Sequence, residues 1–221
     1  MMNDTESPNP FSSRLDLSSL TEAVAGIRQQ IGSVIVGQKE MVVLLIAAIL
    51  ADGHVLIEGV PGVAKTLAAK LMARTLDIEY ARIQFTPDLM PSDILGTLVF
   101  SQKTGEFVYR EGPIFANLVL IDEVNRAPAK TQAALFEVME ERQVTVEGSA
   151  RPMAAPFIVL ATQNPIEQEG TYRLPEAQLD RFLFKIDVGY PTEEQEGQTI
   201  RELNERGGRV ETSAIWPVLD A

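Results

Sequence analysis

Short, nearly continuous apolar segments that alternate with helical segments constrain the fold of this chain more than any other feature of its sequence. Five of them are predicted as strands, namely HVLIEG, EYARIQF, NLVLIDE, FIVLATQN and FKIDVG. Strands that are apolar on both faces are typical of parallel sheets, whose crossover helices cover both faces. The sequence therefore predicts an α/β fold in which a parallel five-stranded sheet lies between helices.

Two segments interrupt this alternation and have the pattern of β-hairpins. TLVFSQKTGEFVYREG carries Thr104 and Gly105 near its turn, and RQVTVEGSARPMAAPF carries Glu147 and Gly148. Glycine near the middle of such a segment supplies the positive φ that tight hairpin turns require. We therefore expect two hairpin inserts in the core.

The chain divides into three parts. Residues 1–16 are polar and proline-rich, and they are predicted to form a disordered tail. Residues 17–207 contain all the predicted strands and form the predicted core, whose first helix has Ser19 and Glu22 at the spacing of a capping box. Residues 208–221 are expected to be a linker or the start of a C-terminal lid.

Composition limits the class of protein. The net charge is −12 and the sequence pI is about 4.6, whereas nucleic-acid binders usually carry a basic face, so nucleic acid is disfavoured as the main partner. The chain has no cysteine, which excludes disulfide and thiolate chemistry. The longest apolar run, MVVLLIAAILA, is too short to span a bilayer, and the N-terminus lacks the features of a signal peptide. We expect a soluble, cytoplasmic protein.

The segment GVPGVAKT, residues 59–66, joins a predicted strand to a predicted helix. It matches the phosphate-binding pattern G-x-x-x-x-G-K-[ST] except at Ala64, which keeps the backbone N–H that such loops direct at phosphate. Lys65 is expected to bind the β- and γ-phosphates of a nucleotide, and Thr66 to bind Mg²⁺. The alternative is an ordinary strand–turn–helix connection that happens to contain a lysine.

Polar side chains follow two more of the predicted strands. NLVLIDE ends in Asp122 and Glu123, and FIVLATQN ends in Asn164. The carboxyl ends of parallel strands meet at one edge of the sheet, which is where ligands bind in open α/β folds. Asp122 is expected to bind Mg²⁺ and Glu123 to activate the attacking water as a general base. Asn164 is expected to orient that water or contact the γ-phosphate, the alternative being a simple cap of its strand.

Together these motifs resemble the MoxR family of AAA+ ATPases, in the helix-2-insert branch that includes magnesium chelatase subunits. The resemblance covers about residues 20–207. The segments that carry it are IVGQ, GVPGVAKT, FTPDLMPSDILG, GPIFANLVLIDEVNRA, ALFEVMEERQVT, ATQNP and GTYRLPEAQLDRF. It implies a P-loop NTPase core, and it accounts for Ala64, because members of this family carry alanine at that position.

The resemblance implies a role for each matching position. The nucleotide-binding residues would be Val36, Gly37, Gly59, Val60, Pro61, Gly62, Val63, Ala64, Lys65, Thr66 and Leu67, with Val36 and Gly37 near the adenine. Thr66 and Asp122 would hold Mg²⁺. The catalytic residues would be Lys65, the Walker B residue Glu123, the sensor 1 residue Asn164, and Arg181.

Arg181, in the segment LDRF, matches the arginine finger that reaches the γ-phosphate bound by a neighbouring subunit. Such a finger stabilises charge in the transition state. The alternative is a surface arginine that caps the short helix PEAQLDR. Arg126 and Arg173 are other basic residues that could face a neighbouring subunit.

The resemblance also implies partners. It predicts a homo-oligomeric ring, expected to be a hexamer, that couples Mg-ATP hydrolysis to chaperone-like remodelling or maturation of a protein client or of a partner with a von Willebrand factor A domain. The two hairpins would be the loops that face the ring pore or the client.

A C-terminal helical lid with a sensor 2 arginine is expected to be absent, or the chain to be a fragment. The alternatives are a non-hydrolysing, nucleotide-dependent scaffold and a DNA-associated motor subunit.

Overall fold

The computed structural model of this chain describes residues 17–35, 38–59, 65–164 and 171–189, together with residues 197, 201, 215, 217 and 218. The predicted tail lies outside the described residues. The helix predicted in TEEQEGQTIRELNERGG and the predicted linker, residues 208–221, lie outside them for the most part. The structure therefore concerns chiefly the predicted core.

Helices and strands alternate along the described chain as predicted. The helices are α1 (Ser18–Gly32), α2 (Lys39–Leu50), α3 (Lys65–Thr75), α4 (Pro91–Leu95), α5 (Ala129–Glu141) and α6 (Glu176–Leu179). The strands are β1 (His54–Gly59), β2 (Tyr80–Gln84), β3 (Gly96–Ser101), β4 (Glu106–Glu111), β5 (Leu118–Asp122), β6 (Gln143–Val146), β7 (Ser149–Pro152), β8 (Ile158–Gln163) and β9 (Phe182–Val188). None of the described helices combines the length and the apolar character that crossing a bilayer requires.

Five strands form one sheet in the order β2-β5-β8-β1-β9, and every neighbouring pair is parallel. Each connection between successive strands of this sheet contains a helix, as the crossovers between parallel strands usually do. The prediction of a parallel five-stranded sheet is confirmed. Its parallel direction places the carboxyl ends of all five strands at the same edge.

Alternation of side chains along each strand divides the core into two layers. In β1, Val55 and Ile57 pack with the apolar faces of α1, α2 and α3, whereas Leu56 packs on the opposite face with α5. Successive residues of a strand point to opposite faces of the sheet, so a strand covered on both sides must be apolar throughout. The sheet therefore lies between two helical layers, as predicted.

Both predicted hairpins are present. β3 pairs with β4 and β6 pairs with β7, each in antiparallel register. Gly105 and Gly148 have φ of 73° and 76° at the two turns, the left-handed conformation that glycine adopts without a steric penalty. Gly96, at the base of the first hairpin, also has a positive φ of 109°, and a Cβ there would overlap the carbonyl oxygen of Arg110. Glycine therefore provides the backbone conformation of both hairpin turns and of the base of the first hairpin.

The predicted capping box of the first helix is wrong. Helix α1 begins at Ser18 with Leu17 in the capping position, and no side chain caps it. Ser19 therefore lies inside the first turn, where its helical backbone precludes the conformation that a capping residue needs. In the same turn, the hydroxyl of Thr21 donates a 2.8 Å hydrogen bond to the carbonyl of Leu17.

Candidate nucleotide site

Three strand ends converge at the carboxyl edge of the sheet. β1 ends at Gly59, β5 ends at Asp122 and β8 ends at Gln163. The register of the central strands is Glu58 opposite Gln163 and Ile121 opposite Ala161, so the three ends lie nearly level. The polar residues predicted to act together are thus brought to one edge.

Lys65 is the first residue of α3, and its Nζ donates a 2.8 Å hydrogen bond to the carbonyl of Gly59. Burial lowers the pKa of the Lys65 ammonium from its ordinary value, while the negative charges of Asp122 and Glu123 act in the opposite direction. Both carboxylates lie at the end of β5, at the same edge of the sheet as Lys65. The ammonium is therefore partly desolvated beside two anions, at the start of a helix.

Asp122 is a buried carboxylate with a defined environment. Arg82 on β2 contacts its Oδ2 through Nε at 2.6 Å, and the hydroxyl of Thr162 donates to its Oδ1 at 3.2 Å. Both partners come from strands adjacent to β5. The orientation of the carboxylate is consequently fixed from two sides.

Glu123 leaves the strand through a left-handed conformation, with φ of 57° and ψ of 51°. This conformation is uncommon for a residue other than glycine and tends to occur at functional sites. The Glu123 backbone N–H donates to the hydroxyl of Thr162 at 3.1 Å. Its Oε2 accepts a hydrogen bond from Gln84 Nε2 at 2.8 Å and contacts Arg126 Nε at 3.0 Å. Thr162 therefore connects the two acidic residues, and Glu123 itself is held by two donors.

The remaining described residues of the predicted site lie around this centre. Thr66 is exposed in the first turn of α3 and Leu67 is half-buried. Asn164 is half-buried and follows Gln163, which places it about level with Gly59. A Cβ at Gly59 would overlap the carbonyl oxygen of Val188 on β9. The packing of β1 against β9 is therefore sufficient to require glycine at the start of the loop.

Part of the predicted nucleotide site lies outside the described residues. This part comprises Val36, Gly37, Val60, Pro61, Gly62, Val63 and Ala64. Their roles stay predictions from the sequence.

Arg181 lies at the opposite edge of the sheet. The next residue, Phe182, pairs with His54, the first residue of β1, whereas Gly59 is the last. At about 3.3 Å per residue, these two ends of β1 are about 17 Å apart. The chain therefore does not bring Arg181 together with Lys65.

Arg181 is instead held within its own subunit. Its Nη2 forms an ion pair with Glu140 Oε2 on α5, and its Nη1 donates to the carbonyl of Ala177 in α6 at 2.7 Å. The contact with Ala177 is the helix-capping role considered as the alternative for Arg181. It does not preclude a role as an arginine finger. Of the other candidate arginines, Arg126 contacts Glu123 in the same subunit and Arg173 is exposed.

Sequence reasoning missed three residues that shape the site, namely Arg82, Gln84 and Thr162. A signal was available, because Arg82 and Gln84 are polar residues two positions apart in β2 and therefore lie on one face of that strand. The register places Gln84 opposite Asp122. Recognising β2 as the neighbour of β5 would have been enough to connect them.

The residues present fit a nucleotide with Mg²⁺. Mg²⁺ prefers oxygen ligands and is usually held by one or two carboxylates, waters and substrate phosphates. The Asp122 carboxylate and the Thr66 hydroxyl are ligands of this kind, and the Lys65 ammonium supplies a compact positive charge. The set of side chains at this edge therefore suits a polyphosphate and one hard cation.

Comparison with known proteins agrees with this geometry. Residues 54–184, more than half of the chain, match the family described as "ATPase family associated with various cellular activities (AAA)". A candidate ATPase from Cytophaga hutchinsonii, solved by crystallography, is 46% identical with a TM-score of 0.74 over 92% of this chain and 63% of that protein.

Similar sequences point to one branch of that family. Chaperone MoxR1 of Mycobacterium tuberculosis is 56% identical over 79% of this chain and 46% of its own length. Protein YeaC of Bacillus subtilis is 52% identical over 86% of this chain and 59% of its own length, and Protein MoxR of Methylorubrum extorquens is 34% identical over 79% and 52%. The chain thus spans about half the length of the curated relatives it matches. With the parallel sheet and the polar edge described above, these matches make the chain a member of the MoxR family of AAA+ ATPases.

Proposed function

We propose that this chain is an ATP-binding and ATP-hydrolysing module that couples Mg-ATP hydrolysis to chaperone-like remodelling or maturation of partner protein complexes. The observation that carries the proposal is the convergence of three residues at one edge of the sheet: Lys65, whose Nζ donates to the carbonyl of Gly59 at the end of β1, and Asp122 and Glu123 at the end of β5. A structural lysine in a simple connection has no need of two carboxylates at the same edge of the sheet.

Binding would use the loop of residues 59–66 and the start of α3. Lys65 would hold the β- and γ-phosphates, and Thr66 and Asp122 would hold Mg²⁺. When bound, Mg²⁺ neutralises charge on the phosphate oxygens. Thr162 donates to Oδ1 of Asp122 and Arg82 contacts Oδ2, and the remaining lone pairs of the carboxylate would bind the cation.

Hydrolysis would depend on Glu123 and Asn164. Glu123 would accept a proton from the attacking water, and Asn164 would orient that water. In the described chain, Gln84 and Arg126 both contact Oε2 of Glu123, so they hold the side chain without using all the lone pairs of the carboxylate. Glu123 would then contribute about 10²- to 10⁴-fold to the rate, as general bases do.

The position of Arg181 supports a ring. Because it lies at the edge of the sheet opposite Lys65, Arg181 can serve only a nucleotide bound by another subunit. A head-to-tail arrangement of identical subunits satisfies this requirement and closes into a ring when the rotation allows. Six subunits, ATP rather than GTP as the nucleotide, and a cytoplasmic location remain predictions.

The hairpins are the surfaces we propose for the client. The first hairpin exposes Phe107 (69%), Phe100 (52%) and the neighbouring valines, and the rings of the two phenylalanines contact each other edge-on. Arg151 of the second hairpin lies 4.4 Å from the ring centre of Tyr109 in the first, so the hairpins form one surface. Exposed apolar surface of this kind favours a protein partner. A partner with a von Willebrand factor A domain is proposed on family grounds. A chaperone role is proposed because the name of the mycobacterial relative states it.

The test is Glu123→Gln in the full-length protein. We expect nucleotide binding to be kept and phosphate release to fall by at least about 10²-fold, since the amide cannot accept the proton of the water. Glu137→Gln, on the exposed face of α5, is the matched control and should hydrolyse at the wild-type rate. Normal hydrolysis by Glu123→Gln would refute the assignment, and the absence of hydrolysis by the wild-type protein would favour the scaffold.

A further inference from the structure

The side chain of Arg181 is fixed by a carboxylate from a different element of the fold. Glu140 is in the last turn of α5, and its Oε2 pairs with Nη2 of Arg181. Nη1 donates at 2.7 Å to the carbonyl of Ala177, one turn earlier in the chain. The guanidinium is therefore held at two nitrogens, one by an ionic partner and one by a neutral partner.

This arrangement leaves a buried donor without an acceptor. Nε of Arg181 is buried and has no hydrogen-bond partner among the described residues, although the side chain as a whole is 29% exposed. Leaving a buried donor unsatisfied is unfavourable. A flexible arginine would be expected to move this nitrogen into water, and the pair with Glu140 opposes that movement.

We propose that Glu140 is a positioning residue that orients Arg181 toward the nucleotide bound by the neighbouring subunit. This inference rests on the proposed function of Arg181. Arginine has several rotatable bonds, and catalytic groups are effective only when their geometry is held closely by supporting residues. A carboxylate on the rigid helix α5 supplies that support, and the remaining guanidinium N–H groups are left to contact phosphate.

A purely structural role does not account for this pair as well. The Glu140 side chain is 60% exposed, and exposed ion pairs contribute little to the stability of a fold. Removing the charge should therefore leave the fold intact while it releases Arg181. Any loss of activity can then be assigned to the orientation of the arginine.

The chain offers a matched control in the next residue. Glu141 is also in the last turn of α5, is exposed, and forms no ion pair within the described part of the chain. In the full-length protein, Glu140→Gln should lower kcat by about tenfold or more, because misplacing a catalytic group can cost on the order of 100-fold. The Kd for a fluorescent ATP analogue and the melting temperature should not change. Glu141→Gln should match the wild type, and Glu140→Asp should recover part of the rate because it keeps the charge.

Mixing subunits separates positioning from damage to the active site. A Glu140→Gln subunit keeps Glu123, and a Glu123→Gln subunit keeps an oriented Arg181. An interface is therefore complete when the Glu140→Gln subunit binds the nucleotide and the Glu123→Gln subunit supplies Arg181. We therefore expect the mixture to hydrolyse ATP faster than either variant alone. Mixing Glu123→Gln with Lys65→Ala should restore nothing, because both changes affect the same site.

The outcomes distinguish this inference from the function on which it rests. If Arg181→Ala is inactive but Glu140→Gln behaves like Glu141→Gln, or hydrolyses ATP faster than the wild type, the role of Glu140 is refuted and that of Arg181 stands. If Glu140→Gln is slow but mixing with Glu123→Gln restores nothing, the positioning role is also refuted. If Arg181→Ala hydrolyses ATP normally, the proposed finger itself fails.

Discussion

The side-chain amide of Gln84 donates a 2.8 Å hydrogen bond to the carboxylate of Glu123, linking the ends of two neighbouring strands. The same Gln84 accepts a 3.1 Å hydrogen bond from Arg82, which in turn contacts Asp122. The two acidic residues of the candidate site are therefore both tied to β2. A general base must present a free lone pair to water, and here the amide of Gln84 occupies one.

Gln84→Ala should increase the basal rate of ATP hydrolysis. The substitution removes one of the two donors that hold Glu123 and leaves the contact with Arg126. A net hydrogen bond contributes about 0.5–1.5 kcal/mol, which corresponds to an increase of about two- to tenfold. Steady-state phosphate release with saturating Mg-ATP measures it, and Gln102→Ala, in an exposed turn of the first hairpin, is the control. A lower rate would mean that Gln84 supports Glu123 in its active position.

Lys65→Ala should weaken nucleotide binding. The substitution removes the partly buried ammonium, whose pKa the charges of Asp122 and Glu123 influence. Because a charged hydrogen bond to phosphate contributes about 1.5–3 kcal/mol, the Kd for the nucleotide should rise by about tenfold or more. Titration of a fluorescent ATP analogue measures this. Lys70→Ala removes a lysine from the exposed face of the same helix and should bind as the wild type does. Equal affinities for the two variants would exclude Lys65 from the site.

Much of this architecture could be predicted because the relevant signals are local. Apolar strands, turn glycines and strand-end acids each occupy a few consecutive residues, and parallel strands necessarily place their carboxyl ends together. Asp122, Glu123 and Lys65 were predicted as site residues from such local patterns. Membership of the family, once recognised, explained Ala64.

The contacts that the sequence did not predict are those between elements far apart in the chain. Arg82 and Thr162 reach Asp122 only because β2 and β8 lie on either side of β5. No local sequence pattern specifies the order of the strands in the sheet. The pair of Arg181 with Glu140 depends on how α5 lies beside the start of β9. The capping box failed for the opposite reason, since a correct local spacing was applied to a helix that begins two residues earlier than Ser19 as its cap would require.

Removing the exposed phenylalanines of the first hairpin should abolish client binding without slowing basal hydrolysis. Phe100 and Phe107 contact each other and are largely exposed, so replacing both with serine removes apolar surface and little core packing. The measurement compares proteins retained by the Glu123→Gln variant in ATP with those retained when both phenylalanines are also replaced.

Leu50 provides the control for that comparison. It is 55% exposed at the end of α2, away from the hairpin in the sequence, and Leu50→Ser should leave the retained proteins unchanged. If the double serine variant retains the same proteins as its parent, the hairpin is not the client surface. A melting temperature within a few degrees of the wild type is required of both variants.

The single histidine of this chain should make its stability depend on pH. His54, at the start of β1, is buried, and its ring packs edge-on against Phe157. The backbone N–H of Val159 donates to Nδ1 at 3.0 Å, so the proton of the neutral ring is on Nε2, which donates to the carbonyl of Met139 at 3.2 Å. A second proton on Nδ1 would face the N–H of Val159. The fold therefore requires the neutral ring.

The charges around His54 modify this preference without reversing it. Burial is the largest cause and lowers the pKa of His54 below its ordinary value of 6.5. The carbonyl of Met139 raises it, the positive charge of Arg142 lowers it, and Asp52 raises it. Because the unfolded chain then binds more protons than the folded chain below about pH 6.5, stability must decrease as the pH falls through that value. Above about pH 7.5 both states are neutral and the effect is absent.

His54→Gln tests this directly. A glutamine oxygen can accept from the N–H of Val159 and its amide can donate to Met139, but it does not titrate. The melting temperature of the wild-type chain should fall between pH 7.5 and pH 5.5, with a loss of at most about 1.4 kcal/mol per pH unit for one proton. The His54→Gln variant should show a much flatter profile, even if its melting temperature is lower throughout. A parallel fall in both proteins would exclude His54 as the source of the effect.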